Sequence, residues 1–237
     1  MQILASKSCI KSTYSLATSL RLVTQSVFLA MAQYFHIHAR NPQARLIKQA
    51  AEILSVGGLI AYPTDSSYAL GCHLDDKRAV ERIRRIRKLD RHHNFTLVAA
   101  DLKQVSQFAK IDNEQYRLIK KLTPGPYTFI LNAKRLVPNR LVHAKRRTIG
   151  IRIPDNAIVQ SLLVELGEPI MSSSLILPGS ESALGDPDDI RAALEHEVDL
   201  VIDGGADVNQ ASTVIDWHHD SLRIVREGAG DISFLED

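Results

Sequence analysis

The chain has 237 residues, 45% of them hydrophobic and 5% aromatic, with 29 Lys and Arg against 27 Asp and Glu, a formal net charge of +2. That length suits one large α/β domain or two small ones, and the near-neutral balance excludes a uniformly basic polyanion binder, so any such site must be a local patch. A single Trp argues against a wide stacking surface for single-stranded RNA, and only Cys9 and Cys72 are available for disulfides, which fits a reducing cytoplasmic setting.

Residues 1–30 are rich in Ser and Thr and hold Lys7, Lys11 and Arg21 without an acid. A transit peptide would carry more arginine, a secretory signal needs a longer apolar core than 27–30, and Arg21 interrupts any membrane span. The expectation is a non-native or disordered extension before a start at Met31, followed by one domain over 31–237. Residues 34–38 alternate like an outer strand. Residues 43–55 place Ala44, Ile47, Ala51 and Leu54 at helical spacing, and 59–62 form an apolar run that reads as a buried strand. Residues 77–89 read as a helix with Ala79, Val80, Ile83 and Ile86 inward and arginines outward, followed by a strand at 96–99 and helices at 102–109 and 113–122. Thr123-Pro124-Gly125-Pro126 breaks the last of these. Strands at 127–131 and 148–153, a helix at 157–166 and a strand at 170–174 follow. A helix at 187–194 has Asp186 as N-cap and Pro187 in its first turn. Strands at 200–203, 213–216 and 222–226 complete the chain. With no linker and no repeat, the economical fold is a single α/β domain around one twisted, mixed β-sheet with flanking helices.

The densest chemistry lies after the 59–62 strand. Pro63 stops its ladder, and Thr64, Asp65, Ser66, Ser67 and Tyr68 lead to Gly71 as a hydroxyl-rich loop. Such a loop at a strand end is either a small-ligand site or a cap for the next helix. On the strand at 148–153, Ile149, Ile151 and Ile153 share one face, which turns Arg152 to the other, towards cavity or solvent. Nine histidines, among them His36/His38, His92/His93 and His218/His219, do not fall at zinc-protease spacing and have no Cys pair, so no metal site is expected.

Five stretches in order, Tyr62-Pro63-Thr64-Asp65-Ser66-Ser67-Tyr68-Ala69-Leu70-Gly71, Thr123-Pro124-Gly125-Pro126-Tyr127-Thr128-Phe129, Ile149-Gly150-Ile151-Arg152-Ile153-Pro154, Ser172-Ser173-Ser174 and Ser212-Thr213-Val214-Ile215-Asp216, resemble the motifs of the YrdC/YciO family. The resemblance runs from about residue 34 to the C-terminus and implies a YrdC-like domain with helices outside and an open concave cavity. Enzymatic members join threonine, bicarbonate and ATP into threonylcarbamoyl-AMP for tRNA modification. By that resemblance Thr64, Ser66, Tyr68, Arg152 and Ser173 would hold a threonine-like substrate, Arg152 through its planar fork on the carboxylate. Arg87, Lys88, Thr148, Ser174 and Arg226 would contact a nucleotide. ATP with magnesium is the expected ligand, the metal held largely by phosphates and neither bound tightly.

The chain departs from the enzymatic pattern at two places. Arg87-Lys88-Leu89 stands where such members carry Lys-x-Arg, with His93-Asn94 for a following Lys-Gly or Lys-Pro pair. Ser172-Ser173-Ser174-Leu175-Ile176 stands for Ser-Thr-Ser-Ala-Asn, and Ile176 has no amide to donate. Both departures are similar to the YciO branch. The arginine-rich helix (Arg78, Arg82, Arg85) and the run Lys145-Arg146-Arg147 are either a solvated face, with Glu81 pairing to Arg84 or Arg85, or phosphate contacts for structured, double-stranded RNA such as tRNA or rRNA. The expectation is therefore an RNA- and nucleotide-binding YrdC-domain protein of the cytoplasm. The alternative is a weak L-threonylcarbamoyladenylate synthase.

Overall fold

Hydrophobic period switches between two and about 3.6 along the chain, and strands and helices follow it. The computed structural model describes residues 31–233 apart from 91–92, 207–209 and 220; the expectation for residues 1–30 lies outside them. The elements are β1 (Gln33–His36), α1 (Ala44–Ser55), β2 (Leu59–Tyr62), β3 (Ala69–His73), α2 (Lys77–Arg87), β4 (Thr96–Val98), α3 (Leu102–Phe108), α4 (Asn113–Leu122), β5 (Tyr127–Asn132), β6 (Thr148–Arg152), α5 (Ala157–Leu166), β7 (Ile170–Ser174), α6 (Pro187–Leu194), β8 (Leu200–Asp203), β9 (Thr213–Asp216) and β10 (Arg223–Arg226). Short polar side chains start the helices. Asp76 accepts from the Ala79 amide, Asp112 and Gln115 form a reciprocal capping box, Asn156 caps α5 and Asp186 caps α6 ahead of Pro187.

One mixed ten-stranded sheet runs in the order β1-β8-β2-β3-β7-β4-β6-β5-β9-β10. β1 and β2 flank β8 in parallel, and β4 lies parallel to β6 and β5 to β9; the β2–β3, β3–β7, β4–β7, β5–β6 and β9–β10 pairs are antiparallel. Alternation along each strand divides the apolar residues between two cores. Leu59, Leu70, Leu97, Phe129, Ile151 and Met171 join the core that holds residues of α2, α3, α4 and α6. Ile60, Tyr62, Ala69 and Ile170 face α1 and α5 on the opposite side.

Two local differences from the sequence reading matter. Residues 69–73 are a strand, not the end of a loop: Ala69 pairs with Tyr62 and Cys72 with Leu59. Leu70 and Cys72 bury on one face while Gly71 packs under Tyr62, so tertiary pairing overrides the local hydroxyl-rich context. The Cys72 thiol is buried, and burial pushes it up to about 12, which disfavours the thiolate at neutral pH. Helix α2 also stops at Arg87, two residues early. Lys88 takes the left-handed conformation (φ 49°), and the Leu89 amide bonds back to the Arg84 carbonyl at 2.9 Å. Leu89 then packs on the core.

Gly71 is required by its neighbours. A Cβ there would lie 2.6 Å from Cε1 of Tyr62 and 2.9 Å from Cγ2 of Ile170. Gly71→Val should therefore cost about 1–3 kcal/mol by overpacking. Urea unfolding checks it; an unchanged midpoint would show that the strand shifts freely.

Candidate functional site

The face that α1 and α5 cover at one half of the sheet is open at the other half. There Thr128 and Ile130 of β5, Thr148, Gly150 and Arg152 of β6 and Val214 of β9 line a cavity of about 220 Å³. Ile149 and Ile151 bury their side chains in the core, so strand parity sends the threonines and Arg152 into the opening. The strand end of β7 (Ser172 to Ser174), the loop after β2 (Thr64, Ser67) and Arg87 with His93 form further walls.

At the β2–β3 loop, hydroxyls and one ion pair are knitted together. Thr64 Oγ1 donates to the Ser67 carbonyl at 2.6 Å and accepts from the Ser66 and Ser67 amides at 3.2 Å. Arg152 Nη2 donates to Asp65, to Ser66 Oγ at 2.7 Å and to Thr64 Oγ1 at 3.3 Å. Asp65 is itself fixed, its other oxygen accepting from the Asp155 amide at 2.9 Å. Both ion-pair side chains are more than nine-tenths buried, yet Arg152 Nε is buried without a hydrogen-bond partner. A buried N–H left open is costly. Behind it, Tyr62 shares a hydrogen bond of 2.7 Å with Ser172 Oγ, and burial pushes the phenol up to about 12.

Two further arginines reach the cavity without a carboxylate partner among the described residues. Arg87 donates to Ser173 Oγ and, through Nε, to the Ile176 carbonyl at 3.1 Å. Arg226 donates to the Ser212 carbonyl at 3.0 Å and to its hydroxyl at 3.2 Å, and that hydroxyl meets Thr128 Oγ1 at 2.9 Å. Burial lowers the pKa of both guanidinium groups, and the charge on Arg152 adds to the effect at Arg226. A fourth, Arg146, contacts buried Asp216 at 3.2 Å, which also holds His218 Nδ1 at 2.5 Å. Among the described residues no carboxylate side chain lines the cavity, and four arginines do, which gives this wall an excess of positive charge.

The residues expected from the sequence divide by this geometry. Thr64, Arg87, Thr148, Arg152, Ser173, Ser174 and Arg226 come together on the wall. Ser66 is buried just behind it, holding Arg152. Tyr68 is spent on the fold: its hydroxyl donates to the Gly205 carbonyl at 2.9 Å and accepts from the Gly204 amide. Lys88 caps α2 on the surface and does not line the cavity. In the basic helix, Arg82 bonds Asp199 at 2.6 Å and Arg85 bonds Glu197 at 2.8 Å, while Glu81 takes Arg84; Arg78 is exposed. Of the loop run, Arg146 lines the cavity, Arg147 donates to Asn139 at 3.0 Å and Lys145 is exposed. Ser67, Thr128 and Ser212 were not expected in the site; each stands in a stretch that carries the family resemblance, and strand alternation places Thr128 opposite Phe129.

These features define an α/β domain with an arginine-lined cavity at the open half of a mixed sheet. The chain belongs to the Sua5/YciO/YrdC family, whose profile, described as telomere recombination, matches residues 52–228. It is 56% identical over 201 residues to an uncharacterized protein of Haemophilus influenzae, covering 84% of this chain and 97% of that one. It is 54% identical to Escherichia coli YciO over 202 residues, covering 85% and 98%, and the YciO crystal structure superposes with a TM-score of 0.82. The threonylcarbamoyl-AMP synthase of Chromobacterium violaceum is 35% identical over 144 residues, 60% of this chain and 74% of the enzyme. The crystal structure of P. abyssi Sua5 complexed with L-threonine matches with a TM-score of 0.79 at 26% identity, over 86% of this chain and 59% of that one. Among the described residues no helix is long and apolar enough to cross a membrane.

Proposed function

We propose that the cavity binds a nucleoside triphosphate beside a small amino acid, and that any threonylcarbamoyl-AMP synthesis there is weak. The observation that carries the reading is that Arg87, Arg152 and Arg226 line one cavity from different walls, with no lining carboxylate among the described residues. Asp65 and Ser66 hold the Arg152 guanidinium in place, which suits it to an amino-acid carboxylate. That is consistent with a Sua5 relative having been solved with L-threonine. Arg87 and Arg226, at the other walls, suit phosphates. Magnesium would ride on those phosphates, because the wall formed by the described residues offers hydroxyls and cations and no carboxylate. The weakness follows from Ile176, whose side chain lines the cavity without a donor where leaving-group charge develops. Leu89 is no such deficit: it is half-buried against the core, and Arg87 supplies the cation on that side.

Isothermal titration with magnesium and ATP, with and without threonine, tests this. The expected result is saturable ATP binding that threonine strengthens, with slow pyrophosphate release. Ile176→Asn should raise that release by on the order of tenfold or more. Absence of binding would sink the ligand reading, and robust synthesis by the unaltered chain would sink the claim of weakness.

RNA contact is a second reading, favoured by the β5–β6 loop, where Lys134, Arg135, Lys145, Arg146 and Arg147 occur without an intervening acid and Arg146 lines the cavity. Arg82 and Arg85 contribute less to it, since Asp199 and Glu197 already neutralise them. Binding of double-stranded RNA that weakens steeply with salt, and loses slope in Lys145→Glu/Arg147→Glu, would support it.

A further inference from the structure

His93 stands on the cavity wall between two arginines. Its Nε2 is 3.5 Å from Ser173 Oγ, the hydroxyl that already accepts from Arg87. Its ring meets Phe95 edge-on at 5.5 Å, and Arg84 lies over that Phe95 ring at 5.3 Å. With Arg87 occupying an acceptor site of Ser173, the Ser173 proton is free to point at Nε2, which a neutral imidazole accepts. We propose that His93 is a proton-linked phosphate contact: neutral before an anion enters the cavity, and protonated when a phosphate group sits beside Ser173. The inference rests on the triphosphate reading above and assigns one residue of that site a role in specificity and pH response.

Among the described residues, burial and two of the three charged neighbours of the ring favour the neutral form. Burial lowers the His93 pKa from 6.5 first, and the charges of Arg87 and Arg84 on α2 lower it further. Asp90, whose carbonyl accepts from the His93 amide, raises it. On the β7 side the facing group is the uncharged Ser173. These are the titratable and charged neighbours among the described residues. The free site therefore holds His93 neutral at pH 7. A bound phosphate brings full negative charge against the same ring and favours the imidazolium, whose Nε2–H then donates to it. The sign follows. Below the free-state pKa the residue is charged with or without ligand, and above the bound-state pKa it is neutral in both. Between the two, binding takes up a proton and affinity rises as pH falls, by at most tenfold per pH unit. A lysine in this place would hold its charge throughout and show no such window.

The test is titration with magnesium and ATP, and separately with inorganic triphosphate, at about pH 6 and about pH 7.5, each in buffers of two ionisation enthalpies. The unaltered chain is compared with His93→Gln and His93→Lys. Differences between variants cancel the proton that the ligand itself takes up. The expected result is roughly fivefold more loss of affinity from the lower to the higher pH in the unaltered chain than in His93→Gln, with matching proton uptake. His93→Lys should bind tightly at both values. Both probes should agree, because the contact is to phosphate. Equal slopes and equal proton uptake in the unaltered chain and His93→Gln would overturn this inference alone. No binding of either probe at any pH would overturn the triphosphate reading and this inference with it.

Discussion

Replacing Arg152 with Leu should abolish amino-acid binding in the cavity and lower stability by about 3–5 kcal/mol. The side chains of Arg152 and Asp65 are only 9% and 8% exposed, so the substitution strands a carboxylate that water cannot reach. Asp65 would keep the Asp155 amide, and Ser66 and Thr64 would lose their shared donor. Arg152→Lys keeps a charge but not the planar fork. It should recover part of the stability and little of the binding. Urea unfolding and threonine titration measure the two effects separately. If Arg152→Leu unfolds at the same urea concentration as the parent chain, the pair is solvated and its structural role is wrong.

Phe129→Ala should cost about 3–5 kcal/mol through a core cavity that cannot collapse. Phe129 is 1% exposed, stacks near Tyr127 with ring centroids 6.3 Å apart, and sits opposite Ile151 in the β5–β6 ladder. For a chain of this size the melting temperature should fall by about 10 °C. The neighbouring residues Thr128 and Ile130 form part of the cavity wall, so ligand affinity should weaken modestly while Arg152 keeps its partners. A variant that lost all binding with little change in melting temperature would mean that Phe129 shapes the site more than it fills the core.

Periodicity and the punctuation of the chain made most elements legible. Asp186-Pro187 announced α6, and Thr123-Pro124-Gly125-Pro126 ended α4, because capping and proline geometry act within a few residues. The 69–73 strand was hidden because its character comes from pairing with β2 and β7, far from anything its own residues state. In the same way, Glu81 paired with Arg84 as an i,i+3 neighbour, but the partners of Arg82 and Arg85 are more than a hundred residues away.

Alternation along β6, with Ile149 and Ile151 buried together, was enough by itself to turn Arg152 to the face opposite the core, since the side-chain period of a strand is a local property. The ordered motifs were enough to indicate the family. Whether that face met a helix, solvent or a cavity depended on α1 and α5 covering only one half of the sheet. Only the tertiary structure also separated Arg87 on the cavity wall from Lys88 on the surface and Leu89 packed against the core. Three adjacent residues diverge there because one left-handed turn at Lys88 ends the helix, and the direction of a side chain after such a turn is set by what it packs against.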